Sequence, residues 1–181
     1  MSPTTTASGI AAKRCHLLSN GSYRVLLDAS GAGYSRWRDV AVTRWREDPT
    51  TDPWGSHLFL RDEESGRTWS VTRQPLGTPM PDDEVEFAPG SARFVRRHHS
   101  VHSVLEVAVD PGRAVELRRL SVSNHGDHTR RLSLTTYAEL VLGPAAADDA
   151  HPAFSKMFVQ TEWDATHAML LATRRHRDSH E

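Results

Sequence analysis

Hydrophobic and polar residues alternate with a period of two along most of this chain, and clusters of turn-forming residues separate the alternating segments. Because successive side chains of a β-strand point to opposite faces, this alternation predicts strands that are buried on one face. The clearest examples are residues 101–109 and 131–142. The same pattern predicts shorter strands at 22–27, 37–45, 58–61, 67–71, 85–87, 92–97, 115–122, 157–163 and 168–173.

Three of these strands, 101–109, 115–122 and 131–142, are predicted to form an antiparallel meander. The sequences Asp-Pro-Gly-Arg at 110–113 and Asn-His-Gly-Asp at 124–127 have the chemistry of the turns that would connect them. Burial of one strand face fixes register, so the residues on that face are expected to share a core. They are Leu105, Val107, Leu132, Leu134, Ala138 and Leu140.

Taken together, the predicted strands indicate an all-β antiparallel sandwich, because about ten short strands occur without a sustained helical period. A change of phase between Leu117 and Leu120 predicts a β-bulge near residues 118–119. Residues 74–83, rich in proline, and residues 143–152, rich in alanine and aspartate, are predicted loops.

Composition narrows the possible partners and compartments. The 181 residues fit one large domain, and 22 basic against 23 acidic residues leave no basic surface for nucleic acid or for a membrane. Cys15 is the only cysteine, which excludes an intrachain disulfide and a cysteine metal cluster. No run approaches the ~20 apolar residues of a membrane span, and residues 1–15 lack the apolar centre of a secretory signal.

Motifs for metal or nucleophile chemistry are not convincing. His98 and His102 share a face only on a helix, and along an extended strand they would lie about 13 Å apart, too far for one metal ion. Residues 33–37 lack the final glycine of a nucleophile elbow. We therefore predict no metal site and no cofactor.

Residues 148–151 contain Asp148, Asp149 and His151, which could supply groups for general acid–base chemistry. Such a pair of aspartates in a loop is more typical of a solvated turn. No catalytic residue is therefore assigned in this chain.

Aromatic and arginine residues alternate in the first third of the sequence. Tryptophan rings offer flat apolar faces for sugars, and guanidinium groups bind hydroxyl or phosphate oxygens. Two interpretations stay open: the tryptophans anchor the core, or they contact a neighbouring domain and its glycan. If residues 37–45 form one strand, Trp37 and Trp45 lie on the same face. The residues concerned are Tyr34, Arg36, Trp37, Arg38, Arg44, Trp45, Arg46, Trp54 and Trp69.

Residues 31–48, GAGYSRWRDVAVTRWRED, resemble the start of the N-terminal β domain of cyclic β-1,2-glucan synthases and of the inverting cellobiose and chitobiose phosphorylases, glycoside hydrolase family 94. Further matching segments occur in order between His16 and Arg174. They are residues 16–21, 52–56, 58–62, 137–142 and 151–156. The resemblance implies a supersandwich fold of galactose-mutarotase type.

In that family the catalytic acid and the phosphate-binding residues lie in a helical (α/α) barrel that follows the β domain. The resemblance therefore implies a tail at 1–15, a β-sandwich at 16–175, and a second tail at 176–181 before such a barrel. The expected partners are the barrel, a β-glucan or glucoside bound through it, and a second copy of the chain in a homodimer. The candidate residues for contact with carbohydrate or the neighbouring domain are Tyr34, Arg36, Trp37, Arg38, Asp39, Trp45, Trp54 and His151.

The family also implies a location in the cytoplasm or at the cytoplasmic face of the inner membrane, with this chain itself soluble. Two alternative functions remain: a free-standing module that binds β-glucan, and a purely structural dimerisation domain.

Overall fold

The computed structural model describes residues 14–46, 51 and 53–175, which form antiparallel strands and two short helices. The elements are β1 (Cys15–Ser19), β2 (Tyr23–Asp28), β3 (Gly33–Trp37), β4 (Val40–Thr43), β5 (Ser56–Asp62), β6 (Thr68–Ser70), β7 (Glu84–Ala88), β8 (Ser91–His98), β9 (Val101–Val109), β10 (Glu116–Asn124), β11 (Leu132–Ala138), β12 (Leu140–Pro144), α1 (Ala145–Ala150), α2 (Pro152–Lys156), β13 (Val159–Asp164) and β14 (Met169–Arg174). The predicted all-β fold is confirmed. The predicted tails lie outside the described residues, except Arg14 and Cys15.

The strands form four antiparallel sheets, and the first three enclose one core. Their orders are β1-β2-β3-β4-β12, β10-β9-β8-β7, β11-β5-β6 and β13-β14. Alternate residues of the first three sheets face inward and exclude water, as in other β-sandwiches. The core residues include Leu18, Val25 and Leu27 from the first sheet, Phe94, Leu105 and Val107 from the second, and Leu58, Leu60 and Trp69 from the third.

The predicted meander is only half correct. β9 and β10 form the expected hairpin, and the side chain of Asp110 accepts hydrogen bonds from two backbone N–H groups in its turn. β11, however, pairs with β5 and not with β10. The loop after β10 carries the chain into another sheet, where Glu63 N–H donates to the carbonyl of Arg131.

The predicted bulge is wrong, because β9 and β10 pair without interruption from Glu116–Val109 to Asn124–Val101. The apparent change of phase has a chemical cause. Glu116 and Arg118 occupy positions of the inner face as an ion pair at 2.6 Å, and Leu117 is left 53% exposed on the outer face. Ser35 and the carbonyl of Ser56 complete the hydrogen bonds of this pair. Two charged residues thus stand where the pattern required apolar ones.

Leu105 and Val107 are buried as predicted, whereas Leu134 is 52% exposed. Leu132, Ala138 and Leu140 are half-buried. Leu134 lies directly opposite buried Leu60, so its strand face was assigned correctly. The prediction of burial failed because no other described element covers Leu134 on β11, which lies at one edge of its sheet.

The predicted strand at 37–45 is also wrong. The chain reverses at Arg38 and Asp39, so β3 and β4 form a hairpin in which Trp37 pairs with Val40. Arg38 adopts the left-handed conformation, with φ of 50°. A turn with positive φ at an arginine gives no recognisable signal in the sequence, because glycine and asparagine are the usual residues there.

Two other segments differ locally from their predictions. Residues 145–156, which include most of the predicted loop 143–152, form α1 and α2. Residues 98–102 form the tight β8–β9 hairpin, in which His98 faces Val101, so the separation expected for one extended strand does not apply. The loop at 74–83 is confirmed.

Candidate functional site

The β3–β4 hairpin divides the predicted contact residues between two faces. Tyr34 and Arg36 lie on the outer face of the first sheet, because the intervening Ser35 is buried on the inner face. The Arg36 guanidinium lies 4.9 Å from the centroid of the Tyr34 ring, and Trp45 meets that ring edge-on at 5.8 Å. We call Tyr34, Arg36 and Trp45 the outer aromatic group.

Trp37, Arg38 and Asp39 form a second set at the hairpin turn, the turn group. Trp37 is 41% exposed, and the Arg38 guanidinium lies 5.0 Å from the centroid of its ring. The carbonyl of Arg38 accepts a hydrogen bond of 2.6 Å from Arg24. Since Trp45 follows the opposite end of β4, Trp37 and Trp45 do not share a surface as predicted.

Trp54 and His151 lie away from both groups in sequence and have different surroundings. The carbonyl of Trp54 accepts a hydrogen bond of 2.8 Å from Gly33 N–H, which joins this loop to β3. Gly33 is required there, because a Cβ atom would lie 1.8 Å from the carbonyl oxygen of Leu26. His151 is exposed between α1 and α2. Trp69 belongs to the core.

A buried ion-pair network holds the two helices against the first sheet. Arg44 is 3% exposed, and its guanidinium donates to both oxygens of Asp148 at 2.6 and 2.7 Å and to Glu139 at 2.6 Å. Lys156 of α2 lies 3.0 Å from Glu139. The sequence grouped Arg44 with the arginines that lie among the aromatic residues, and no local pattern identified its partners, which lie 95 and 104 residues away.

The network fixes the charge of its carboxylates. Burial would raise the pKa of Asp148, but hydrogen bonds from Arg44 and Ser155 and the positive charge of Arg44 outweigh burial and lower it. The pKa of Glu139 is also lowered, because Lys156, Tyr137 and Arg44 outweigh its desolvation. Both side chains are therefore ionised at neutral pH and serve as acceptors, not as proton donors.

An apolar cavity of about 610 Å³ lies between the first sheet, the helices and β14. Val40, which pairs with Trp37, lines it together with Leu142 and His151. Phe154 is 46% exposed there and meets Phe158 edge-on at 5.0 Å. The cavity offers apolar area with few polar groups, which suits protein contact better than catalysis.

The described part of the chain contains no group of three or more histidine, cysteine, aspartate or glutamate side chains placed to hold a metal ion. Within those same residues, no helix is long and apolar enough to cross a membrane.

Comparison with known proteins identifies the family. The model of "Glycosyl hydrolase 94, supersandwich domain" matches residues 3–181. The chain is 43% identical over 146 residues to the cyclic β-(1,2)-glucan synthase NdvB of Rhizobium meliloti (strain 1021), a match that covers 81% of this chain. It is 24% identical over 164 residues to the N,N'-diacetylchitobiose phosphorylase of Vibrio furnissii, a match that covers 88% of this chain.

These matches span only 5% of the synthase and 20% of the phosphorylase. They nevertheless cover nearly the whole of the present sequence, and the antiparallel all-β architecture agrees with the matched domain. The chain therefore belongs to the glycosyl hydrolase 94 family, as a supersandwich domain.

Proposed function

We propose that this chain is an accessory β-sandwich domain of a glucan synthase or phosphorylase, which packs on a helical catalytic barrel and helps to shape the rim of its glucan site. The observation that carries the proposal is the concentration of exposed large apolar side chains in the last third of the chain. Such surfaces mark places where another protein surface packs. They include Leu134, Tyr137, Phe154, Met157, Trp163, Met169, Leu170 and Leu171.

The state of the carboxylates supports an accessory role. Cleavage of a glycosidic bond requires a carboxylic acid that holds its proton until the bond breaks. Asp148, the buried carboxylate of residues 148–151, is instead paired with Arg44 and has a lowered pKa. We therefore expect the catalytic groups to be supplied by the barrel.

The turn group is the part of this chain best suited to reach a glycan. Trp37 presents a partly exposed indole ring, and Arg38 beside it adds hydrogen-bond donors. The same feature supports the second candidate, a free-standing β-glucan-binding module. A further proposal is that the exposed apolar surface also supports a homodimer.

Assays on the isolated chain distinguish these functions. For the accessory domain we expect no phosphate-dependent turnover of cellobiose or β-1,2-glucan, weak or absent binding of β-1,2-glucan in calorimetry, and self-association in sedimentation. Tight glucan binding that is lost in Trp37→Ala would favour the free-standing module. Measurable phosphorolysis by the pure chain would contradict the proposed accessory role.

We also propose that the domain works in the cytoplasm or at the cytoplasmic face of the inner membrane, on the basis of its similarity to the glucan synthase. Protease protection of the tagged protein in intact and permeabilised spheroplasts would test this location. Digestion in intact spheroplasts would contradict it.

A further inference from the structure

A second cavity, of about 310 Å³, lies where three connections between strands meet. They are the β5–β6 turn at 63–67, the β8–β9 turn at 99–100 and the β10–β11 loop at 125–131. This volume is at the lower end of the range for small-molecule sites. Loops at the end of a sandwich are also common positions for binding residues.

The inner part of the cavity is built from stacked rings. His98 lies parallel to Trp69 with ring centroids 4.3 Å apart, and His99 meets His98 edge-on at 4.6 Å. His99 has φ of 53°, the left-handed conformation that tight hairpin turns often require and that histidine, asparagine and aspartate adopt more often than most residues.

Two residues that line the cavity carry a buried donor with no hydrogen-bond partner among the described residues. The donors are the indole N–H of Trp69, a residue only 4% exposed, and the hydroxyl of Ser100. Buried donors are nearly always paired, because an unpaired one loses its hydration without compensation. Oxygen atoms of a ligand would satisfy both.

The charges around these donors favour an anion. Nη1 of Arg67 lies 3.1 Å from Nε2 of His99, and Arg67 has no carboxylate partner within the described part of the chain. Arg130, by contrast, is paired with Asp62 at 2.6 Å. Desolvation, followed by the charges of His99, Arg96 and Arg67, lowers the pKa of His98. The ring therefore lies in a positive electrostatic field.

The two acidic residues that line the cavity, Asp62 and Asp127, each have a basic neighbour. Asp62 accepts a hydrogen bond from Arg130, and the side chain of Asp127 is 88% exposed and lies 3.5 Å from His128. The residues that line the cavity thus offer guanidinium, indole, hydroxyl and imidazole groups. A phosphate group carries more acceptor oxygens than a carboxylate and can take hydrogen bonds from more of these donors.

We propose that this cavity binds the phosphate group of a small phosphorylated molecule, with Arg67, Ser100 and Trp69 as donors and with His98 and His99 beside the phosphate. The residues involved are separate from the apolar cavity and from the turn group. The proposal therefore does not depend on the accessory function and can fail or succeed independently of it.

The test follows the histidine resonances of the whole chain by proton NMR during titration with inorganic phosphate, glucose 6-phosphate or glucose. We expect saturable shifts of two histidine signals with either phosphate and none with glucose. Because an anion stabilises an imidazolium, bound phosphate should oppose the desolvation of His98 and raise the pKa of that ring. Tighter binding of glucose 6-phosphate than of inorganic phosphate would identify a sugar phosphate as the preferred source.

Three variants make the test specific. Arg67→Gln should weaken phosphate binding by about tenfold or more, since it removes a charged hydrogen bond. His99→Asn keeps a residue that tolerates the left-handed turn and should remove one of the shifting signals. Arg119→Gln, which alters a 76% exposed arginine paired with Glu106, is the matched control and should bind as the unaltered chain does.

Absence of saturable shifts with both phosphates would overturn the proposal. So would equal binding by Arg67→Gln and the unaltered chain, or equal weakening by Arg67→Gln and Arg119→Gln, which would indicate a non-specific charge effect. A response to glucose as strong as that to glucose 6-phosphate would exclude a phosphate site.

Discussion

Arg44 shows how one residue can control the position of two helices. Its guanidinium is buried, and it connects β4 through Asp148 to α1 and through Glu139 to the segment before β12. Burying charges costs free energy that only complete pairing offsets. Loss of one member of the pair is therefore strongly destabilising, because the other charge stays buried without its partner.

Replacement of Arg44 by methionine should lower the free energy of unfolding by about 3–5 kcal/mol, because Asp148 would remain buried without its counter-charge. Urea unfolding followed by circular dichroism measures this change. Arg119→Met removes an arginine from an exposed pair and should cost about 0–1 kcal/mol. Equal effects of the two variants would mean that the Arg44 network does not exist in solution.

The effect of Arg44→Met should also depend on pH. In the native chain the pKa of Asp148 is lower than in the unfolded chain, where it has the usual carboxyl value of about 4. The ionised side chain therefore stabilises the fold above that unfolded value, and this stabilisation is lost as pH falls through the folded pKa. Without Arg44, burial should raise that pKa, and protonation would relieve the unpaired charge as pH falls. The destabilisation should therefore be smaller at about pH 5 than at about pH 7.

Denaturant curves of the variant and the unaltered chain at both pH values test this expectation. The double variant Arg44→Met/Asp148→Asn is the control, because it contains no carboxylate at position 148 to titrate. A destabilisation that is independent of pH in Arg44→Met would contradict the assignment to Asp148.

At the scale of elements, the face of a strand does not by itself decide whether a side chain is buried. Leu60 and Leu134 face each other across the β5–β11 pair, yet Leu60 is 3% exposed and Leu134 is 52% exposed. β5 lies between β11 and β6, whereas β11 is at the edge of the sheet. Alternation along one strand cannot report which strands flank it.

This pair gives a direct comparison of central and edge positions. Leu60→Ala should cost about 2–5 kcal/mol, and Leu134→Ala should cost about 1 kcal/mol or less. Both free energies can be measured by urea unfolding at low protein concentration. A loss of 2 kcal/mol or more at Leu134 would show that its side chain is covered in solution.

At the scale of the whole molecule, most of the large apolar side chains that are exposed among the described residues lie in the last third of the chain. In the two-stranded sheet, Trp163 pairs with Leu170, and they are 61% and 67% exposed. Apolar area exposed to water favours association with any surface that removes it. In the isolated chain a second copy is the available surface.

Leu170→Glu should therefore weaken self-association, which sedimentation velocity over a range of concentrations would measure. Thr173→Glu adds the same charge to the same strand at an exposed position on its other face, and it should change association less. If the unaltered chain is monomeric at all concentrations, or if both variants behave alike, β13–β14 is not the associating surface.

The sequence by itself determined the strand-rich architecture, the family, the β9–β10 hairpin with its Asp110 turn, and the burial of Leu105 and Val107. These features follow from local alternation, turn chemistry and recognisable motifs, and each of these signals lies within a short stretch of the sequence. It also singled out the aromatic and arginine residues 34–54, although it placed Trp37 and Trp45 on one face. The Arg38–Asp39 turn separates them through a positive φ that nothing in the residue types announced.

Only the tertiary structure decided which strands pair, which charges are buried and where the edges lie. The pairing of β11 with β5, the inward Glu116–Arg118 pair, the Arg44–Asp148 contact and the cavity beside Trp69 and His98 all join residues or elements through packing. For the buried charges the physical reason is that burial is tolerated only when hydrogen-bond partners are supplied, and Glu116, Arg118 and Arg44 take such partners from distant parts of the chain. The sequence shows which residue stands at each position, but it does not show which distant residue will pair with it.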